Sequence, residues 1–226
     1  MNKLDSFKRL AQLFKDHGYN LYLVGGSVRD YLLNLDINDL DVCTDATPDD
    51  IKSFYNEEAS YTFSYMGAVT LRFEGLRFDL TTLREEGGYD DYRHPSYIKF
   101  VKDLSIDVKR RDFTINALYL TSDLKVLDYV DGVNDLNNKL IRMIGDPNKR
   151  INEDPLRIIR AIRFSLDYGF KIDDRLETEI RNNIHLLDEL NIEKIKQEIK
   201  KIKTPKEQIY EIFNNFNISY LLDVIK

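Results

Sequence analysis

The sequence predicts an α+β protein: a small mixed sheet with helices, followed by a helical module. Three observations lead there. Between Leu21 and Thr44 the chain reads LYLVGGSVRDYLLNLDINDLDVCT, an apolar strand, a glycine pair, a short helix and a strand carrying Asp-x-Asp. Val69 to Phe73 and Arg77 to Leu83 alternate apolar and polar residues around Glu74-Gly75, the pattern of a hairpin. Pro155 to Leu166, Arg175 to Leu187 and Ile192 to Ile202 show helical periodicity.

Taken in order, Leu4, Phe7, Leu10, Ala11 and Phe14 recur at helical spacing and predict a first helix that stops at Gly18. Leu21 to Val24 reads as a buried strand, Gly25-Gly26 turns the chain, and Val28 to Leu33 forms a short helix. Leu40 to Val42 is a second strand, and Thr47-Pro48-Asp49 opens a helix with proline in its first turn. Glu85 to Tyr97 (EEGGYDDYRHPSY) is polar, with a glycine pair and a proline, and predicts a mobile loop. From Phe113 onward the pattern turns mostly helical, with a break at Gly145-Asp146-Pro147. The implied organisation is a head over 1–145, a helical neck over 146–204 and the start of a truncated helical body over 205–226.

Composition narrows the class. Hydrophobic residues at 42% and charged residues at 32% are those of an ordinary globular chain, so disorder is not the expectation. A net charge of -6 argues against a basic nucleic-acid coat, yet leaves RNA open as a substrate, since only the field at a site must be positive. One cysteine, Cys43, cannot form an internal disulfide, and His17, His94 and His185 make no zinc-like cluster. Any metal is expected to be a hard one held by oxygen. The charged N-terminal stretch and the lack of a long apolar span predict a cytoplasmic protein.

The chemistry concentrates at Leu21 to Thr44. Adjacent glycines let backbone approach a polyphosphate, and carboxylates two apart on a strand share one face, where they can hold two magnesium ions. A glycine pair alone is usually a turn, and Asp-x-Asp alone a solvated strand end; in the order strand, glycines, helix, acids they support each other and imply nucleotidyl transfer. Asp79, in RFDLTTLR, is equally well a third metal ligand or a surface acid on an edge strand. In KRRDFTIN, an Asp112 that begins a helix puts Asn116 one turn on; the segment fits a ribose-and-phosphate clamp or a cap beside a solvated arginine pair. In EDPLRIIR, helical spacing puts Asp154 and Arg157 three residues apart on one face, where they fit either a surface salt bridge or a reader of a base edge. As a reader, the carboxylate accepts from an exocyclic amine and the guanidinium donates to an unprotonated ring nitrogen, a pattern that C and A offer and that G and U do not. Lys194, Lys196, Lys200, Lys201, Lys203 and Lys206 form either a solvated face or a phosphate-tracking surface.

Together these segments resemble the class II tRNA nucleotidyltransferases, the CCA-adding enzymes, which share their catalytic head with bacterial poly(A) polymerases. GGSVRDYLLNLDINDLDVCT is similar to the metal-binding first motif, with Asn34 where glycine is usual. REEGGYDDYRHP resembles the flexible loop, with Arg84, Tyr89, Asp91, Arg93 and His94 in order, and KRRDFTINALY the ribose-recognising motif. DGVNDLNNKLIR resembles the motif between head and neck, with Asp131, Gly132, Asp135 and Arg142. EDPLRIIRAIRF is similar to the amino-acid template for the incoming base, and NIEKIKQEIKKI to the neck helix. Ala68 stands where threonine is common, and SYMGAVTLRF lacks the glycine-basic-basic-phenylalanine pattern of poly(A) polymerases.

The resemblance implies a polymerase-β-like nucleotidyltransferase head that adds C and A to tRNA 3′ ends from CTP and ATP, without a nucleic-acid template. It implies Asp39 and Asp41 as catalytic ligands of two magnesium ions, beside which Asp79 stays a candidate third ligand, and Gly25, Gly26, Arg29 and Arg111 on the triphosphate. Asp112 and Asn116 fall at the sugar, and Asp154, Arg157 and Arg160 at the base. Almost nothing follows Pro205 where the family continues into a body and tail, so the expectation is either a weak grip on RNA or one supplied by a protein partner or second subunit. The rival readings are an enzyme adding only CC or only A, a poly(A) polymerase, a non-catalytic RNA-binding remnant, and a small-molecule nucleotidyltransferase.

Overall fold

A computed structural model describes residues 2–89 and 95–223. Backbone contacts divide them into two compact units: one takes in residues up to Gly87 with Tyr97–Val133, the other the described parts of Gly88–Ser96 and Asn134–Lys226. The division after Val133 falls ahead of the Gly145 break, and the residues after Thr204 belong to the same unit as the neck.

The first unit runs α1 (Lys3–Asp16), β1 (Leu21–Val24), α2 (Gly26–Leu32), β2 (Leu40–Thr44), α3 (Pro48–Phe54), β3 (Ala59–Ser60), β4 (Ala68–Phe73) and β5 (Leu76–Thr82). A ribbon of β6 (Arg84–Tyr89) and β7 (Pro95–Phe100), of which Gly88, Tyr89, Pro95 and Ser96 count with the second unit, the short helix α4 (Leu104–Asp107), and strands β8 (Tyr119–Leu120) and β9 (Val126–Leu127) follow. Local signals set the ends. The Asn2 side chain accepts the Leu4 N–H to cap α1, and Thr47 and Asp50 cap each other's amides at the start of α3.

The main sheet has the order β3-β4-β5-β2-β1-β8-β9, antiparallel except where β2 pairs with β5. Strand periodicity sorts its faces. Leu21, Leu23, Leu40, Val42, Val69, Leu71, Phe78 and Leu80 enter one core with Phe7, Leu10 and Phe14 of α1 and Ile51 of α3. Burying each such side chain stabilises the fold by roughly 1.5–3 kcal/mol. The intervening residues, among them Asp41, Thr70 and Asp79, lie on the other face, which is thereby left to carry a site.

Two expectations fail in this unit. Glu85 to Tyr97 is not simply a loop: its described residues belong largely to β6 and β7. The polar run is stabilised by pairing its charges, since the half-buried Arg84 guanidinium binds Glu86 and the Met66 carbonyl. Asp91, Arg93 and His94 lie outside the described residues. Nor does a helix begin at Asp112. Thr114–Asn116 makes one tight 3-10 turn, and Tyr119 and Leu120 then pair with Val24 and Leu23 as a strand. A short apolar run reads alike as helix or strand, and here the long-range pairing decides.

The chain then enters α5 (Gly132–Asn137), within which the first unit ends. The second unit contains β10 (Leu140–Ile141), α6 (Pro147–Glu153), α7 (Leu156–Tyr168), β11 (Lys171–Ile172), α8 (Asp174–Asn183), α9 (Ile192–Ile199), α10 (Lys206–Asn215) and α11 (Tyr220–Asp223). Asp146, Asp173 and Asn191 cap α6, α8 and α9. Ile158, Ile159 and Ile162 of α7 are fully buried, as is Phe213 of α10. Among the described residues no helix is long and apolar enough to cross a membrane.

Candidate active site

At the end of β1 the backbone turns through Gly25, whose φ of +68° and ψ of -133° suit only a residue without a side chain. A Cβ there would lie 3.9 Å from Asp41 Oδ2 and 4.0 Å from the Asn116 carbonyl, so the bare backbone and the carboxylate adjoin. Gly26 opens α2. Ser27 is buried, donating its hydroxyl to the Asp39 carbonyl at 2.8 Å and accepting the Asp41 N–H at 3.0 Å. One side chain thus fixes the peptide between the two acids. Asn34 adopts φ +55°, a conformation that asparagine tolerates, so its replacement of the usual glycine keeps the turn.

Asp39 is exposed just before β2, Asp41 is half-buried on it, and Asp79 on β5 is the register partner of Asp41. Burial, then the neighbouring charges of Asp39 and Asp79, push the Asp41 carboxyl up to about 6. Asp79 Oδ1 accepts from Arg77 Nη2 at 2.8 Å and Thr70 Oγ1 at 3.0 Å. Among the described residues no three His, Cys, Asp or Glu side chains form a ready metal cage. Magnesium needs none: it binds through one or two carboxylates together with substrate phosphates and water. A carboxyl such as Asp41, whose affinity for protons its acidic neighbours raise, fits such an ion.

Gly25, Asp41, Thr70 and Asp79 line a cleft of about 360 Å³ whose wall also holds Arg110 and Arg111; Asp39 is not part of its lining. The arginines are not a solvated pair. Both bind Asp107, whose side chain is fully buried: Arg110 Nε donates to Oδ1 at 2.8 Å and Arg111 Nη2 to Oδ2 at 2.8 Å. The Tyr119 hydroxyl donates to Oδ2 at 2.9 Å and the Arg84 N–H to Oδ1 at 3.1 Å, while the Arg111 guanidinium lies over the Tyr119 ring. Burial works to raise the pKa of Asp107, but the Arg111 and Arg110 charges and these hydrogen bonds outweigh it and hold it down at about 2.

The buried Arg29 sits behind the glycine turn, with Nη1 donating to Asn116 Oδ1 at 2.5 Å and Nη2 to Asp30 at 2.8 Å. The first motif and the KRRDFTIN segment are therefore joined here, with Asp112 half-buried between Arg111 and Phe113. Sequence reasoning missed Asp107, Tyr119 and Ser27. Only the spacing of Asp107 three and four residues before the arginines offered a hint.

In the second unit, Asp154 and Arg157 do not share a helix. Asp154 ends α6 at φ -151° and α7 starts at Leu156, because Pro155 disfavours the helical conformation of the residue before it. Neither is a surface group: Asp154 is 6% and Arg157 4% exposed. Asp154 accepts the Leu156 N–H at 3.2 Å, and the Arg157 N–H donates to the Asp154 carbonyl at 3.1 Å. The Arg157 guanidinium donates to the Arg150 carbonyl and lies 3.5 Å from Glu153, and Arg160 Nη2 lies 3.5 Å from Asp154. In the lysine run, Lys196 pairs with Glu193 and Lys201 with Glu198.

Residues 21–142 match the family described as the poly A polymerase head domain. The chain is 40% identical over 212 residues to the CCA-adding enzyme of Lactobacillus helveticus, covering 93% of this chain and 53% of that protein. Among solved structures it is similar to the Bacillus stearothermophilus CCA-adding enzyme in complex with CTP, with a TM-score of 0.81 and 32% identity over 89% of this chain and 49% of that one. It is also similar to the Thermotoga maritima CCA-adding enzyme complexed with tRNA-CCA, with a TM-score of 0.74 and 25% identity over 95% and 50% of the two chains. The chain spans about half the length of the curated relatives it matches.

Proposed function

The chain belongs to the poly(A) polymerase head-domain family, and from that premise we propose that it carries the catalytic half of a CCA-adding tRNA nucleotidyltransferase. Its reaction is template-independent transfer of C and A from CTP and ATP to an RNA 3′ end. The observation that carries this reading is the cleft in which Gly25, the register pair Asp41 and Asp79, and the anchored Arg110 and Arg111 meet.

The 3′-hydroxyl of the RNA attacks the α-phosphorus in line, a new phosphodiester forms, and pyrophosphate leaves. Arg110 and Arg111 neutralise the triphosphate, and the glycine turn lets backbone approach it. Arg29 acts through Asn116, holding the glycine turn against the segment that positions the ribose with Asp112. Asp39 and Asp41, with Asp79, would hold two magnesium ions, which lower the pKa of the attacking hydroxyl and stabilise the leaving pyrophosphate when bound. Positioning and charge neutralisation supply most of the rate. Asp154 and Arg157, with Arg160 behind the carboxylate, read the base edge; their burial supports a fixed template rather than a surface ion pair.

The test is incubation of the chain with magnesium and a tRNA lacking its CCA end, with CTP, ATP or both, followed by sequencing of the ends. Discrete CCA is expected. Only CC, only A, or a poly(A) tail would replace the proposal by the corresponding enzyme, and no extension of any RNA would favour a binding remnant.

A further inference from the structure

In-line transfer has a direction: the attacking hydroxyl approaches from the side opposite the departing pyrophosphate. The sheet provides such an axis. Ser60 on β3 pairs with Thr70 on β4, Thr70 with Asp79 on β5, and Asp79 with Asp41 on β2, beside β1 and its terminal Gly25. Cross-strand partners share a face, and all five residues line the cleft. Strand spacing makes the row about 20 Å long, enough for a nucleotide on either side of the central carboxylates.

The two ends differ in chemistry. Arg111 stacks on Tyr119 of β8, the strand beyond β1, so this cation of the cleft wall lies toward the glycine end, while Arg110 lies 3.5 Å from Glu86. The other end is lined by the hydroxyls of Ser60, Thr62 and Thr70 and by the ring of Phe63. An end lined by hydroxyls and an aromatic ring suits a nucleoside better than a triphosphate.

Phe63 is 58% exposed, yet its backbone is held firmly. Its carbonyl accepts the N–H groups of Met66 at 2.9 Å and Ala68 at 3.2 Å. The Arg84 guanidinium donates to the Met66 carbonyl. The Phe100 ring lies so close to Gly67 that an added Cβ would come within 2.7 Å of it. An exposed aromatic ring on a fixed turn at the wall of a polar cleft has the form of a stacking platform.

We infer that Phe63 stacks against the 3′-terminal base of the RNA acceptor, with the Ser60, Thr62 and Thr70 hydroxyls available to its ribose. The inference rests on the nucleotidyl-transfer reading for its direction, and adds to it the seat of the attacking strand. A stack is tolerant of base identity, as required of an end whose last base changes with each addition.

The probe is a short RNA hairpin bearing 2-aminopurine as its 3′-terminal nucleotide, titrated with the full chain and read by fluorescence. Wild type and Phe63→Tyr are expected to quench the probe. Phe63→Ala is expected to leave it bright and to weaken binding about tenfold, near the lower end of what one lost base–aromatic stack costs. Thermal melting of the variants checks that they are folded. No quenching by wild type, or equal quenching and affinity in Phe63→Ala, overturns the inference. CTP and magnesium added to the same samples test transfer separately. Extension by wild type with an unaltered Phe63→Ala sinks the platform alone, whereas a Phe63-dependent quench without extension keeps the platform and sinks the transfer reading.

Discussion

Asp79 is the direct partner of Asp41 across the parallel β2–β5 ladder, and the two carboxyls share the sheet face that turns away from the hydrophobic core. No opposite charge from β2 offsets the pair; Arg77 and Thr70 hold Asp79, while burial and like charge push Asp41 up to about 6. An acid whose folded pKa lies above its ordinary 3.8 destabilises the fold as it ionises. The cost is absent below the ordinary value, grows as pH rises, and is complete above about 6. Asp41→Asn should therefore raise the melting temperature of metal-free protein at pH 7.5, by up to about 3 kcal/mol of stability, and not at pH 3.5. The same change should abolish nucleotide incorporation. Equal melting curves at pH 7.5 would show that the site stores no such repulsion.

Asp107 has the opposite sign. Its folded pKa of about 2 lies below its ordinary value, so its contribution, about 2 kcal/mol, is present above pH 4 and lost as pH falls through about 2. Asp107→Asn should flatten the acid limb of stability measured by urea unfolding between pH 4 and 2. It should also cost about 3 kcal/mol or more at pH 7, because Arg110 and Arg111 lose their shared buried partner. An unchanged acid limb would remove Asp107 from the role of anchor.

What the sequence conveys and what it hides follow from the range of the interactions. The order of strand, glycines, helix and acids is legible because period-two alternation and turn chemistry act over a few residues, and they carried Asp41 and Asp79 to one face. The cap at Thr47 is legible for the same reason. Tyr119 and Leu120 are not: their short apolar run becomes a strand only by pairing with β1, nearly a hundred positions away. Asp107 likewise looks like one more surface acid until Arg111, Tyr119 and the Arg84 amide close around it. The junction at Asp154 was legible in Pro155, but helical spacing across the segment obscured it.

Ser27 is expected to position the acids rather than to touch substrate. Its hydroxyl satisfies both the Asp39 carbonyl and the Asp41 amide, so Ser27→Ala leaves two polar groups short of a partner and should cost about 1–3 kcal/mol. Displacement of the Asp-x-Asp peptide should lower kcat about tenfold or more, with KM for CTP little changed. Ser27→Thr restores the hydroxyl and should recover most of kcat. Failure of threonine to recover what alanine loses would point to packing instead.

Arg157 provides the sharpest test of base choice. Its guanidinium is buried and tethered to the Arg150 carbonyl, so its fork is oriented before any nucleotide arrives. In the proposed template a carboxylate and a guanidinium would match the amine and the unprotonated ring nitrogen of C and A, and oppose the carbonyl and ring N–H of U and G. Sites built on such matched hydrogen bonds discriminate by factors of about 10⁴, far more than a shape difference between pyrimidines allows. Arg157→Lys keeps the charge without the planar fork and should reduce the preference for CTP over UTP, measured as the ratio of kcat/KM. Arg157→Ala should reduce it further, at some cost in melting temperature from the emptied buried position. A CTP-to-UTP ratio equal to wild type in both variants would refute the assignment, since a loss of stability alone scales the two nucleotides together.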